Sequence, residues 1–368
     1  MDYSHNPKVP AGCQLNRILR DDNLRDLVIQ RLPIKDTLTL ARTCKEHRKL
    51  ILGNRFDINA KLKRFNLDSI AFRTALGRSG ALISGSFALQ FLLGVVWKGT
   101  DLDVLVEAGT KMKMLDRFLV EKEGFAMASV ERTGPSKAGG ECRTYSKTSE
   151  DYGEAKIRLI SCTSLPIQAI LSESYTSCVM NFISWNKIYS IFPRTTFVDH
   201  ETVPLSPQSN DHIPLLEKYR TRDFTVRNVV PQDGQGWDEA RHRFVGDKQT
   251  WTLRLDTTGI TPPEEPEFVL ESCSFDMQYE TRLSGNPGSH IVGDLDNVSI
   301  YDDYHAWCEP WRYIRICART FTHPSLRYTY TDSNSTFFDR AFIDALDVQT
   351  REISSSTNRR SIVQVPLF

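Results

Sequence analysis

Residues 80–97, GALISGSFALQFLLGVVW, form the apolar run that most limits how this chain of 368 residues can fold. The run approaches the length of a membrane-spanning helix. Four small or polar residues interrupt it: Gly85, Ser86, Gln90 and Gly94. The pattern therefore favours a buried strand, a tight turn and a short buried helix over a membrane span.

The segment 81–106 as a whole predicts a strand, a turn, a helix and a second strand. The first strand covers 81–83 and ends at the turn Gly85-Ser86. Ser86 is expected to cap a helix over 87–93, which Gly94 closes. The strand over 101–106 places Leu102, Val104 and Val106 on one face and Asp101 and Asp103 on the other.

Periodicity assigns elements to the rest of the chain. A helix is expected at about 24–32, and a second one is expected to begin after an N-cap at Asp36. Further helices are expected at 44–56, 67–77 (ending at Gly77), 111–123, most of 165–191, 213–221 and 337–347. Strands are expected at 125–132, 141–147, 155–162, 251–255, 268–279, 290–300 and 311–320. The fold class is α+β, with a helical N-terminal module, a mixed sheet with helices and a strand-rich C-terminal region.

This pattern divides the chain into six parts. They are a loose tail (1–14), a helical module (15–65), the mixed-sheet domain (66–198), a linker with one helix (199–247), a strand-rich module (248–350) and a second tail (351–368).

Charge is balanced over the chain but not along it. Lys and Arg number 46, as do Asp and Glu, so a wholly basic nucleic-acid-binding surface is not indicated. Residues 1–64 hold 14 basic and 7 acidic residues, whereas 251–350 hold 7 basic and 16 acidic ones. The two regions could attract each other, bind separate partners, or simply present solvated faces.

Eight cysteines are scattered through the chain without a C-x-x-C pair. This distribution predicts reduced thiols in a cytoplasmic or nuclear protein. The N-terminal residues contain no apolar segment typical of a secretory signal, and no membrane association is expected. His305 and Cys308 lack a second ligand pair at zinc spacing.

The acidic pair next to the Gly-Ser turn is the motif that carries chemistry. Two carboxylates on one face of a strand repel each other unless a cation lies between them, and Mg²⁺ prefers oxygen ligands. A glycine turn before a helix lets backbone N–H groups approach a phosphate. Together these features suit metal-assisted phosphoryl transfer.

Residues Gly85, Ser86, Asp101 and Asp103 resemble the signature of the nucleotidyltransferase fold of the polymerase-β superfamily. Fourteen residues separate Ser86 from Asp101, slightly more than is usual there. The resemblance covers about 67–195. It implies that Gly85 and Ser86 hold the phosphates of a nucleoside triphosphate. It also implies that Asp101 and Asp103 are catalytic and bind Mg²⁺, with possible nucleotidyl transfer to an acceptor that the sequence does not identify.

Active members of that superfamily usually supply a third carboxylate from a later strand. In the strand expected at 155–162 the corresponding side chains are basic, Lys156 and Arg158. Glu154, or less directly Glu141, could replace the missing acid. Alternatively, Arg158 or Lys156 neutralises the acidic pair and the domain is a degenerate nucleotide-binding or inert one. A third interpretation is that the two acids are solvated residues at a strand end.

Residues 15–55 resemble an F-box, which docks a Skp1-type adaptor of a ubiquitin ligase through apolar positions. The matching residues are Leu24 to Leu32 and Asp36 to Lys45, without the usual opening Leu-Pro. The alternative is an ordinary helical hairpin packed on the next domain. If the module is an F-box, the chain could be a non-catalytic interaction protein. The two segments together resemble a group of uncharacterised fungal proteins.

Overall fold

The computed structural model describes residues 17–132, 140–150, 153–207, 212–227, 242–282, 290–291, 311–321 and 326–332. Eleven α-helices lie within these ranges: α1 (Asp22–Arg31), α2 (Ile34–Ala41), α3 (Lys45–Arg55), α4 (Ile58–Lys63), α5 (Ser69–Ser79), α6 (Gly85–Leu93), α7 (Thr110–Arg117), α8 (Pro166–Glu173), α9 (Pro193–Phe197), α10 (His212–Arg220) and α11 (Glu267–Glu271). Sixteen strands lie there as well: β1 (Leu82–Ser84), β2 (Leu102–Glu107), β3 (Ala126–Arg132), β4 (Glu141–Ser149), β5 (Gly153–Cys162), β6 (Asn181–Ile183), β7 (Lys187–Ser190), β8 (Glu201–Thr202), β9 (Thr225–Val226), β10 (His242–Phe244), β11 (Trp251–Arg254), β12 (Ser274–Arg282), β13 (His290–Ile291), β14 (Trp311–Cys317), β15 (Arg319–Phe321) and β16 (Tyr330–Asp332).

Eight strands form one mixed sheet in the order β11-β7-β6-β1-β2-β5-β4-β3. β2 and β5 are parallel, and the other neighbouring pairs are antiparallel. β1 is buried along its whole length, whereas β2 alternates buried and half-buried residues. The largest apolar cluster surrounds these two strands. The predicted α+β class is confirmed.

The central strand–turn–helix–strand segment has the predicted order, with shifted ends. α5 continues past Gly77, where the sequence predicted its end, and stops at Ser79. Gly80 follows as its C-cap with φ of 61°, a left-handed conformation that glycine adopts without cost. The helix predicted over 111–123 is α7 followed by a π-helical turn, Phe118–Lys122.

The helical module has a small core of its own, formed by Leu19, Ile29, Ala41 and Ile51. The predicted N-cap at Asp36 is wrong, because α2 already begins at Ile34 behind Pro33. The proline ring fixes φ near the helical value, and the helix starts three residues earlier than predicted.

Arg55 joins this module to the sheet domain. Its guanidinium donates to the carbonyl of Ile29 at 2.7 Å and to that of Leu93 at 2.9 Å. One buried side chain therefore satisfies carbonyl groups at the ends of both α1 and α6.

The prediction that most of 165–191 is helical is wrong. α8 ends at Glu173, and β6 and β7 follow as a hairpin inside the main sheet. Both strands are fully buried. A short buried strand has the same continuous apolar pattern as a buried helix, so periodicity alone does not separate the two.

The region after residue 248 contributes to three sheets, one of which is the β15–β16 pair. β11 pairs with β7 at the edge of the main sheet, whereas β12 pairs with β10, β13 and β14 in a second one. The strand predicted over 268–279 begins instead as helix α11, and β12 starts at Ser274. The division of the chain into domains stays a prediction.

Several expectations fall outside the described residues: the N-terminal tail, the helix at 337–347, the C-terminal tail, and His305 with Cys308. The six cysteines in the described ranges are free thiols: Cys44, Cys142, Cys162, Cys178, Cys273 and Cys317. None of the described helices is long and apolar enough to span a bilayer.

Candidate functional site

The turn between β1 and α6 is built around Gly85. Its φ of 71° lies in the left-handed region, and a Cβ at this position would lie 2.7 Å from Oδ2 of Asp103. Both the backbone angle and the close approach of the carboxylate therefore require glycine. The turn places the first residues of α6 directly beside the acidic pair.

Ser86 is not the N-cap of the helix, contrary to the prediction. Ser84 holds that position, and no described side chain caps the helix there. Because the first N–H groups of a helix have no partners within it, the N-terminus of α6 keeps unsatisfied donors and a positive dipole end near the turn.

Asp103 lies opposite Ser84 in the antiparallel pairing of β1 with β2. As predicted, Leu102, Val104 and Val106 are buried while Asp101 and Asp103 lie on the other face. The Asp103 side chain keeps only 22% of its surface exposed. Burial raises its pKa to about 6; the Arg158 charge opposes that rise, and the Asp101 charge adds to it.

Arg158 occupies the strand position beside Asp103. β5 runs parallel to β2 in a register that pairs Asp103 with Arg158, and Nη1 of Arg158 lies 3.3 Å from Oδ1 of Asp103. This is an ion-pair contact without hydrogen-bond geometry, since Oδ1 has no hydrogen-bond partner among the described residues. Of the alternatives left open by the sequence, this geometry favours neutralisation by Arg158.

The acids considered as substitutes for a third carboxylate are paired elsewhere. Glu154 lies 3.3 Å from Lys156, on the stretch of β5 before its register with β2 begins. Glu141 pairs with Arg143 on β4. Lys156 is thus engaged with Glu154, which leaves Arg158 as the base beside the acidic pair.

These residues do not fit a resident divalent ion. Within the described ranges, no group of three His, Cys, Asp or Glu side chains is arranged to hold a metal. Asp101 and Asp103 supply only two carboxylates, and one of them already faces the Arg158 guanidinium. A metal centre of the kind used in phosphoryl transfer needs more anionic oxygen ligands and no competing cation.

Two further cations approach the site from α10 and the turn after it. Arg222 donates to the Ser86 hydroxyl at 3.4 Å, and the Tyr219 hydroxyl lies 3.2 Å from the same oxygen. The pKa of Lys218 is lowered by burial and by the Arg222 charge, with Asp103 and Asp101 acting in the opposite direction. No sequence motif indicated these residues, because α10 lies more than a hundred positions after Ser86.

Gln90 fixes the loop that leads from α6 into Asp101. Its amide nitrogen donates to the hydroxyl of Thr100 at 2.8 Å, and its carbonyl accepts from the backbone of Trp97 at 2.8 Å. The Trp97 ring in turn lies under Arg222, 3.8 Å from the guanidinium carbon. The loop thereby holds Arg222 over the site.

No family model matches the chain, and no curated protein matches it. Among solved structures, the CCA-adding enzyme of Thermotoga maritima complexed with tRNA aligns with a TM-score of 0.30 and 16% identity. That alignment covers 46% of this chain and 42% of the enzyme. A CCA-adding enzyme with CTP gives a TM-score of 0.31 at 16% identity, over 46% and 43% of the two chains. Less than half of each enzyme is covered, and TM-scores this low assign neither a fold nor an activity.

Proposed function

We propose that this protein binds a nucleoside triphosphate through its phosphate groups at the Gly85-Ser86 turn and does not transfer a nucleotidyl group. The observation that carries the proposal is the contact of Arg158 with Asp103. Arg158 lies on the strand from which the family that this chain resembles supplies its third carboxylate. The positive charge beside Asp103 is therefore an arginine side chain and not a bound metal ion.

The local charge supports an anionic ligand. Arg158, Lys218 and Arg222 surround the turn, against the two carboxylates of Asp101 and Asp103. The uncapped N-terminus of α6 adds backbone donors on the same side. Guanidinium groups bind phosphate oxygens well because they donate hydrogen bonds in a planar fork.

Magnesium has an optional role in this proposal. The resemblance implies an ion held by Asp101 and Asp103, but such an ion would have to displace Arg158 from the Asp103 carboxylate. Mg²⁺ that arrives with the nucleotide can instead remain on the phosphates. Nucleotide binding is therefore expected to persist without any divalent cation.

Isothermal titration of the whole chain with ATP, in EDTA and in excess Mg²⁺, tests this proposal. We expect binding in both buffers, with dissociation constants that agree within about threefold, a difference below 1 kcal/mol. Arg222→Gln should weaken binding by about tenfold, since one charge-assisted contact is lost. Arg220→Gln is the matched control, because Arg220 is exposed and pairs with Glu217.

Binding that requires Mg²⁺, or release of pyrophosphate from ATP during incubation, would contradict the proposal and favour an active nucleotidyltransferase. Titration with inorganic tripolyphosphate separates recognition of the nucleoside from recognition of phosphate alone.

A second candidate function is docking of a Skp1-type adaptor by the helical module. Leu24 and Leu27 of α1 are 46% and 48% exposed, whereas Ile29 of the same helix is buried in the small core of the module. Mixing the chain with a purified adaptor tests the idea: Leu24→Asp with Leu27→Asp should abolish the complex. Failure of the unmodified chain to bind would remove this candidate.

A further inference from the structure

A cavity lies at the opposite end of β1 from the acidic pair. It is partly open to solvent and is lined by the end of α5, the start of β1, Lys111 of α7, the start of α8, the β6–β7 hairpin and α11. β1 has three residues, which separate the cavity from the Gly85 turn by about 10 Å at ~3.3 Å per residue. The cavity is therefore a separate site.

The cavity walls are mainly apolar and include two aromatic side chains, Trp185 and Tyr189. Leu76, Leu165 and Val269 are among the aliphatic wall residues. Apolar walls with a few polar groups are typical of a small-molecule site, in which the walls supply affinity and the polar groups fix orientation. Aromatic faces also attract cations.

The charged groups around the cavity have a negative excess. Glu267 and Glu271 share one cation, Lys187. Lys111 pairs with Glu107 at 2.7 Å, which leaves the fourth acid, Glu265, without an ion pair among the described residues. The charged side chains of the lining itself are Glu265, Glu267 and Lys111, two carboxylates and one ammonium group.

Glu265 lines the cavity and receives no hydrogen bond from any residue in the described ranges. It is half-buried, and this burial raises its pKa despite the nearby Lys111 charge. An ammonium group bound beside this carboxylate would offset the cost of its partial burial.

We propose that this cavity binds a small cationic amine with an apolar body, whose ammonium group pairs with Glu265 while its body packs against Trp185. Three features favour a cation over an anion of the same shape: the carboxylate without an ion pair, the aromatic wall, and the excess of negative over positive charge around the cavity. The proposal is independent of nucleotide binding at the other end of β1.

Three probes of similar shape test this proposal: phenethylamine, 2-phenylethanol and 3-phenylpropanoate. Titration calorimetry on the whole chain should show saturable binding of phenethylamine, and binding of 3-phenylpropanoate weaker by about tenfold or more. Glu265→Gln should weaken phenethylamine by about tenfold and leave 2-phenylethanol nearly unchanged, since only the charge-assisted contact is lost.

Glu264→Gln is the matched control, because Glu264 is exposed and does not line the cavity. It should leave the affinity for phenethylamine unchanged. Absence of saturable phenethylamine binding, equal or tighter binding of the carboxylate, or equal losses in the two variants would each overturn the proposal. ATP titration of the same variants should be unaffected, which separates this site from the Gly85 turn.

Discussion

The two ends of β1 differ in whether the nearby carboxylate has a counter-ion from the protein. At its C-terminal end, the turn at Gly85 lies against the carboxylate of Asp103 on β2. Arg158 on β5, the strand next to β2, compensates the charge of that carboxylate. At its N-terminal end, Gly80 opens onto an apolar cavity in which the Glu265 carboxylate has no ion pair among the described residues. One end carries its own counter-ion, and the other leaves that role to a ligand.

This difference shows why adjacent carboxylates are not by themselves evidence of a metal centre. Whether two adjacent carboxylates can hold a metal depends on the side chain on the neighbouring strand, since that side chain lies within ion-pair distance of the acid. Under the proposed function, an arginine there takes the place of a metal, whereas an acid there would recruit one.

The largest expected effect comes from alanine at the two glycines that flank β1. Gly85→Ala should lower the free energy of unfolding by roughly 3–4 kcal/mol, because a left-handed conformation and a 2.7 Å contact with Asp103 both act against a Cβ. Gly80→Ala should cost only about 1 kcal/mol, since its nearest contacts, Lys111 Nζ and Glu265 Oε2, are 3.8 and 3.9 Å away. Urea unfolding of the two variants measures these free energies. Equal losses in Gly85→Ala and Gly80→Ala would contradict the predicted difference between the two ends of β1.

The next effect is a pH dependence from Asp103. Its pKa of about 6 in the folded chain exceeds the ordinary 3.8, so the folded state holds the proton more tightly than the unfolded state. Stability from this group is therefore present at low pH and falls as the pH rises through 4 to 6, by up to roughly 3 kcal/mol. Asp103→Asn should remove this part of the slope. The prediction would be refuted if the free energies of unfolding of the two proteins changed in parallel between pH 4 and 7.

The smallest effect concerns Gly77, which borders the cavity. A Cβ there would lie 3.2 Å from Cγ of Trp185 and 3.4 Å from Cδ of Pro263. Gly77→Ala gains helix propensity but must displace the tryptophan ring, so stability should change by less than about 1 kcal/mol. Thermal unfolding checks this, and phenethylamine binding should weaken because the ring forms the cavity wall. Unchanged binding would show that Trp185 is not part of the site.

Local patterns predicted the strand–turn–helix–strand segment and the shared face of Asp101 and Asp103. They succeeded because these features depend on residues close in sequence, through a two-residue strand period and a glycine turn. The sequence alone did not fix the strand register that places Arg158, rather than Glu154, beside Asp103.

The rest depends on contacts between distant segments. Lys218 and Arg222 approach the Gly85 turn from α10 and the turn after it, and β11 joins the main sheet from a region predicted to form a separate module. The cavity is likewise assembled from segments that lie far apart in the sequence. No periodicity or motif reports which of such segments meet.

The most direct test of the central claim is Mg²⁺ titration of two charge-reversal variants on β5, followed by thermal unfolding. If Arg158 replaces a metal, Mg²⁺ should not stabilise the unmodified chain, and Arg158→Asp should gain Mg²⁺-dependent stability through ligand linkage. Lys156→Asp makes the same charge change two residues away, where the original side chain pairs with Glu154, and should gain little. Stabilisation of the unmodified chain by Mg²⁺, with no further gain in Arg158→Asp, would contradict the claim.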